Sequence, residues 1–357
     1  MKLLSLIVYI SLKAYKKATK ISHNIRWKRK VKKLLELKRS KKLTNTQVKE
    51  IKSYYKSYGV KNVNVLWHQY YSDCNNNFSK SYIPENFFYM YLESKLNREL
   101  YFPALEDKNL LERLFPKVKQ PETVLKNING FYYGVNGLID WGEILELCNT
   151  GENLVLKPTL ETGGGKNVIL FSCENGITNN SQSSLKSLLD GYKRDFIIQR
   201  VVKQHPKMSA LNGTSLNTFR VMTLLKSSDA VVLSIIVRMG REGAFTDNST
   251  GGGLSCGIDE QGNLRENGFQ NNTGKIFMTT DSGIPFKEIA LPFVQKVKEM
   301  AIELHKTAPF FRLISWDFAI DNLGEVVLIE NNVKGQDINF HQLNNGPVLS
   351  SLLDEIK

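Results

Sequence analysis

ISWDFAIDNLGEVVLIENN, residues 314–332, is the stretch on which the reading of this chain turns. Two apolar runs flank the turn Asp321-Asn322-Leu323-Gly324, a pattern that predicts two paired strands. Asp317 falls on the first strand, Glu330 and Asn332 on the second. Side chains alternate along a strand, so Glu330 and Asn332 share a face, and pairing through the turn brings Asp317 beside them. Two carboxylates and an amide oxygen form a hard-oxygen set suited to magnesium bridging phosphates. A solvated strand end with incidental acids is the plainer alternative. The apolar neighbours Ile314, Val326, Val327, Leu328 and Ile329 weigh against it.

Upstream, residues 292–306 (PFVQKVKEMAIELHK) carry amphipathic helical spacing, with Phe293, Val297, Met300, Ala301 and Leu304 expected to face inward. Residues 217–225 (NTFRVMTLL) and 231–238 (VVLSIIVR) are β-rich, and each holds one arginine, Arg220 or Arg238, among apolar or small residues. A buried, unpaired guanidinium is costly, so each calls for a protein carboxylate or a bound anion. Asn248 and Gly251-Gly252-Gly253 follow in a loop. Residues 153–158 (NLVLKP) and 168–171 predict two strands around Gly163-Gly164-Gly165-Lys166-Asn167. Amides unobstructed by side chains approach phosphate oxygens closely, and Lys157 and Lys166 add charge on either side. At this point an ordinary glycine-rich hairpin is the alternative. A Walker A loop is excluded by Leu160 and Asn167, which replace its first glycine and its Ser/Thr, and a dinucleotide fingerprint is excluded because a strand follows. Residues 195–202 (DFIIQRVV) predict a further strand ending in a hinge whose backbone can pair with an adenine edge.

With 357 residues, 41% hydrophobic and 23% charged, the chain has a globular composition and the length for two or three packed units. Its net charge of +13 is uneven: residues 1–60 hold 18 Lys and Arg against Glu36 and Glu50, leaving 30 basic and 33 acidic residues elsewhere. No nucleic-acid-binding motif accompanies that charge. Cys74, Cys148, Cys173 and Cys256 show no metal-ligand spacing, which favours a reducing compartment. The apolar start, residues 1–12, is too short to span a bilayer and runs into Lys13, Lys16, Lys17 and Lys20 without a secretory cleavage pattern. This basic start reads either as a segment for an anionic membrane surface or as a helix packed on the body through Val31, Leu34, Leu35 and Leu37. Residues 1–58 predict helices broken near 40–45, with Thr44 or Asn45 as cap, and Pro84-Glu85 opens another helix to about Leu100.

In their order, these segments resemble the ATP-grasp superfamily, most closely its branch associated with sugar transfer in bacterial surface-polysaccharide synthesis, over residues 100–345. Asp107-Lys108 with Leu111 and Leu114 resembles the early lysine motif, and Leu156-Lys157-Pro158 the second nucleotide lysine. Gly163, Gly164, Gly165 and Lys166 are similar to the mobile glycine loop. Gln199, Val201 and Val202 match the adenine hinge, where Gln199 departs from the commoner Glu. Asn217-Thr218-Phe219-Arg220 resembles the sugar-transfer branch, Arg238 and Asn248 match phosphate and acyl-phosphate contacts, and Asp317, Glu330 and Asn332 match magnesium ligands.

The resemblance implies an α+β, ATP-grasp fold in which two α/β subdomains clasp ATP. Its expected divisions are a basic helical region at 1–100, a small lid subdomain at 101–200, and a large subdomain with the magnesium and substrate site at 201–357. It implies ATP with two Mg2+ ions, Mn2+ being the alternative, and an ADP-producing ligase that joins a carboxylate to an amine through an acyl phosphate. Lys157, Arg220 and Arg238 are the expected catalytic groups. The implied substrates are an amino acid or amine and a uronic-acid glycan or precursor. The implied location is the cytoplasm, at the inner face of the membrane, with peripheral contact through residues 1–40. Gln336, Asn339, His341 and Gln342 are expected either to line the substrate pocket or to belong to a plain connection. A hydroxyl-directed kinase and a noncatalytic nucleotide- or glycan-binding scaffold are the rival functions.

Overall fold

The computed structural model describes residues 2–356 apart from 103–105, 161–163, 181, 228, 249–250 and 272, with side chains undescribed at 2–18, 20, 99 and 356. The chain folds into two compact units, one of Met1–Leu96, Thr273–Lys275 and Asp337–Lys357, the other of Asn97–Asn272 and Ile276–Gln336.

The first unit is helical. Lys2–Lys38 is one helix, followed by Asn45–Ser57 and Leu66–Asn75. Thr44 caps the second: its hydroxyl accepts from the Gln47 amide while the Gln47 side chain accepts from the Thr44 amide, so two end donors are satisfied at once. Val31, Leu34, Ile51, Tyr55, Trp67 and Tyr71 are buried here, and Lys30 pairs with buried Glu85 at 3.0 Å. The helix expected from Pro84 starts at Glu85 but is interrupted by a π-helical segment, Phe88–Leu92, and resumes as Glu93–Leu96. Ile338–Asn345 completes this unit: the Gln342 side chain accepts from the Ile83 amide at 2.7 Å and donates to the Ile83 carbonyl at 2.9 Å. Asn339, His341 and Gln342 are therefore buried packing groups, and Gln336 is buried in the other unit against Ser315 and the Leu313 carbonyl. The segment is thus not a plain connecting loop, since three of its four residues belong to the helix Ile338–Asn345.

The second unit is built on two sheets. Strands β1 (Thr123–Ile128), β2 (Phe131–Gly134), β3 (Gly137–Leu138), β4 (Leu154–Pro158) and β5 (Ile169–Phe171) join β8 (Phe196–Arg200) in the order β3-β2-β1-β8-β4-β5, while β6 (Cys173–Glu174) and β7 (Ile177–Thr178) pair apart. Leu154, Leu156, Phe196 and Ile198 face a core closed by Ile144, Cys148, Leu185 and Leu189 from the helices Trp141–Cys148 and Leu185–Tyr192. The alternate residues Val155, Lys157 and Gln199 are thereby turned to the opposite face.

The larger sheet contains β9 (Thr218–Lys226), β10 (Asp229–Met239), β11 (Leu254–Ile258), β12 (Leu264–Gln270), β13 (Lys275–Phe277), β14 (Leu313–Ile320) and β15 (Val326–Asn332), ordered β13-β12-β11-β10-β9-β14-β15. The pairs β9–β10, β10–β11, β11–β12, β9–β14 and β14–β15 are all antiparallel. The helix Val294–Thr307 lays Val294, Val297, Ala301 and Leu304 into a core shared with Phe219, Val221, Val237, Ile314, Trp316 and Phe318. Thr218, Arg220, Arg238 and Asp317 belong to the other face by strand alternation, and Arg220 stands opposite Asp317 in register. In β15 the register shifts between the pairs Asp317↔Glu330 and Phe318↔Leu328. This bulge changes the phase of the strand: Val326 and Leu328 face the core before it and Val333 after it, which leaves Glu330 on the open side.

Candidate active site

Within the second unit a cleft of about 400 Å3 is lined by Val155, Lys157 and Leu170 from the small sheet, and by Arg238, Asp317, Ile329 and Glu330 from the large one. Lys108, Gly164, Gly165, Gln199, Val201, Val202 and Asn248 also line it. Lys166, Arg220 and Asn332 are not among the lining residues; Lys166 is exposed, and Arg220 and Asn332 reach the cleft through Asp317. Gly163 lies outside the described residues.

The centre of the cleft wall is a buried ionic network. Arg220 grips Asp317 with a fork, Nε to Oδ1 and Nη2 to Oδ2, both at 2.7 Å. Arg238 donates through Nη1 to Asp317 Oδ2 at 3.0 Å and through Nη2 to Asp247 Oδ1 at 2.9 Å and Asn248 Oδ1 at 3.0 Å. The Thr218 hydroxyl donates to the other oxygen of Asp247. Two guanidiniums are matched by two carboxylates, which offsets much of the cost of burying four charges. Burial works to raise the Asp317 carboxyl, but Arg220 and Arg238 outweigh it and hold it well below the usual carboxylate range. For Asp247 the balance is opposite: burial dominates, and its carboxyl is raised despite Arg238.

Asp247 is the site residue that the sequence reading missed. Its signal was charge matching, since two arginines in apolar strands call for two acids, and Asp247 stands directly before Asn248 in a loop already singled out.

Opposite this network lie two lysines. Lys108 opens a short 3-10 turn held to the small sheet by Asn109, whose amide reaches the Asn127 carbonyl and Thr159 hydroxyl, and its ammonium is 3.4 Å from Glu330. Lys157 is lowered to about 8 by burial first and by the like charge of Lys108 second, with Glu330 acting in the other direction. Gly165, at φ +68°, passes so close to Asn248 that a Cβ would stand 2.0 Å from the Asn248 amide nitrogen. The glycine loop thus rests on the residue that Arg238 holds. The Gln199 amide donates to the Pro121 carbonyl at 3.3 Å and the Thr123 hydroxyl at 3.4 Å, a tie to β1 that commits this side chain to the sheet.

Among the described residues no three His, Cys, Asp or Glu side chains cluster into a metal cage. Asp317, Glu330 and Asn332 nevertheless make an oxygen-bearing set, with Glu330 on the cleft. Both Asp317 oxygens are engaged by Arg220 and Arg238, so Glu330 is the open carboxylate of the set; a site this sparse suits magnesium, which completes its shell with water and phosphate oxygens rather than with protein alone.

The family model for sugar-transfer associated ATP-grasp proteins matches residues 88–357. No curated protein matches in sequence. Among solved structures, VanG D-Ala:D-Ser ligase from Enterococcus faecalis is similar at 15% identity and a TM-score of 0.41, over 70% of this chain and 60% of that one. Biotin carboxylase from Campylobacter jejuni, in complex with β,γ-ATP, is similar at 11% identity and a TM-score of 0.42, over 71% of this chain and 46% of that one. The ATP-grasp ligase PsnB complexed with minimal precursor is similar at 13% identity and a TM-score of 0.40, over 73% and 64%. The chain thus spans about half to two thirds of the length of these proteins.

Proposed function

Since the chain belongs to the sugar-transfer associated ATP-grasp family, we propose that it is an ATP- and magnesium-dependent ligase that forms a C–N bond and releases ADP. The observation that supports this most is the convergence on one cleft of Lys108 and Lys157, Arg238, and the acid pair Asp317 and Glu330. Phosphoryl transfer depends on positioning and charge stabilisation more than on a protein nucleophile, and these groups supply both.

In this reading the adenine lies against Val155, Leu170 and Ile329, beside the hinge backbone at Val201 and Val202. Lys108 and Lys157 bind the phosphates. Asp317, Glu330 and Asn332 would hold the magnesium, two ions being expected, with Mn2+ as a substitute. The metal would supply neutralisation of phosphate charge as the substrate carboxylate takes the γ-phosphoryl group. Arg238 then faces the acyl phosphate and the oxyanion formed when an amine attacks it, while Arg220 positions Asp317 without touching substrate. Gly164, Gly165 and Lys166 close over the phosphates and exclude water, which protects an acyl phosphate from hydrolysis. The substrates are an amino acid or amine and a carboxylate of the uronic-acid class on a surface glycan or its precursor, handled in the cytoplasm at the membrane's inner face.

The test is magnesium-dependent ATP turnover with a panel of uronic acids and amino acids, scoring ADP and AMP, with Glu330→Ala as control. ADP release that requires both acid and amine, and disappears in the variant, is the expected result. AMP release overturns the acyl-phosphate route. A stable phosphorylated product formed without amine would assign a kinase instead.

A further inference from the structure

The first unit carries a surface that the cleft chemistry does not use. Between residues 21 and 61, twelve Lys and Arg side chains are exposed against two acids, Glu36 and Glu50. Helix geometry sorts them from the packing groups. On Lys2–Lys38, Val31 and Leu34 are buried and Trp27 stacks on Tyr89 at 4.9 Å, while Ile21, Ile25, Lys28 and Lys32 recur at the helical period on a separate stripe, turned about 120° from the packing face. All four are exposed, Ile21 by 53% and Ile25 by 46%. On Asn45–Ser57, Ile51 and Tyr55 are buried and Lys49, Lys52 and Lys56 form the exposed stripe. The outward face of Lys2–Lys38 is held rigidly, since Lys30 is tied to buried Glu85 at 3.0 Å and lies over the Trp27 ring at 4.7 Å.

We propose that this face docks the protein on an anionic phospholipid bilayer, with Lys28 and Lys32 at the headgroups and Ile21 and Ile25 entering the interfacial layer. The charge selects a polyanion. The isoleucines select among polyanions, because a soluble glycan or a nucleic-acid duplex offers no hydrocarbon layer to receive two large aliphatic side chains set between cations. No helix among the described residues is long and apolar enough to cross a membrane. The inference deepens the membrane-face location proposed above and is independent of the cleft chemistry, so its test needs neither nucleotide nor substrate.

The experiment is co-sedimentation of the full chain with phosphatidylcholine vesicles, with and without phosphatidylglycerol, over a salt series. Binding is expected to the anionic vesicles alone and to weaken with salt. Lys28→Glu with Lys32→Glu should lower the partition coefficient about tenfold or more. Ile21→Ser with Ile25→Ser, at unchanged charge, should lower it by roughly the same factor. Thermal melts of both variants verify that the helix is retained. Equal binding to neutral vesicles, no binding, or wild-type partition in the isoleucine variant with release by heparin would each overturn the proposal, the last assigning the face to a soluble polyanion.

Discussion

Lys157 illustrates how the cleft is poised for an anion before one arrives. Burial and Lys108 lower its ammonium to about 8, whereas a bound phosphate favours the charged form. Nucleotide affinity should therefore be flat below pH 8 and fall above it, by up to about tenfold per pH unit, with a proton taken up on binding. Calorimetry in buffers of different ionisation enthalpy measures that proton, and Lys157→Met should abolish both effects. Asp247 acts at the same scale. Because it holds the Arg238 group that also reaches Asp317 and Asn248, Asp247→Asn should reduce ATP turnover about tenfold while leaving Arg238 present. If Asp247 works through Arg238, adding Asp247→Asn to Arg238→Ala should cost nothing further. The strand arginines and acids were readable one by one in the sequence, but their partners were not. Arg220 meets Asp317 across β9 and β14, which are 97 positions apart in the chain.

At the scale of elements, the hairpin of β14 and β15 and the helix Val294–Thr307 were legible because their periodicities are strong and local. The bulge opposite Asp317 was not legible, since the continuous apolar run Val326-Val327-Leu328-Ile329 hides the change of phase it introduces. The π-helical segment Phe88–Leu92 was likewise hidden, its aromatic residues reading equally well as ordinary helix. The glycine loop offers a sharper test. Gly165→Val places a branched side chain at positive φ against Asn248, so the loop cannot rest where it does. Turnover should fall about 100-fold with the melting temperature little changed, and a variant of near wild-type activity would remove the loop from the mechanism. The helix Val294–Thr307 also carries His305. Its Nδ1 lies 2.7 Å from the Thr223 hydroxyl and its Nε2 3.0 Å from the Phe311 carbonyl, so the neutral ring donates to Phe311 and accepts from Thr223. Burial lowers this imidazole to about 4. The unfolded chain then binds a proton below about 6.5 that the folded chain refuses, so stability should fall as pH drops from 6.5 towards 4, by about 3 kcal/mol at most. Denaturant midpoints at pH 7.5 and 5 measure the loss, and His305→Gln should flatten it.

For the whole molecule, the family resemblance conveyed the ATP-grasp fold, while the architecture of the first unit stayed beyond the sequence reading because its contacts join distant segments. The Gln342 side chain pairs with both backbone groups of Ile83, and the Gln342 backbone carbonyl accepts from the Asn75 side chain at 2.9 Å. Tyr58 reaches Asp354 at 3.2 Å. That threading has a temporal consequence. On the ribosome, Met1–Leu96 is made before Asp337–Lys357, yet Ile83, Asn75 and Tyr58 find these partners only in the later segment. The unit that Met1–Leu96 opens therefore cannot finish folding until Gln342, 259 positions beyond Ile83, has been made, and a nascent chain carries its aromatic core incomplete until then.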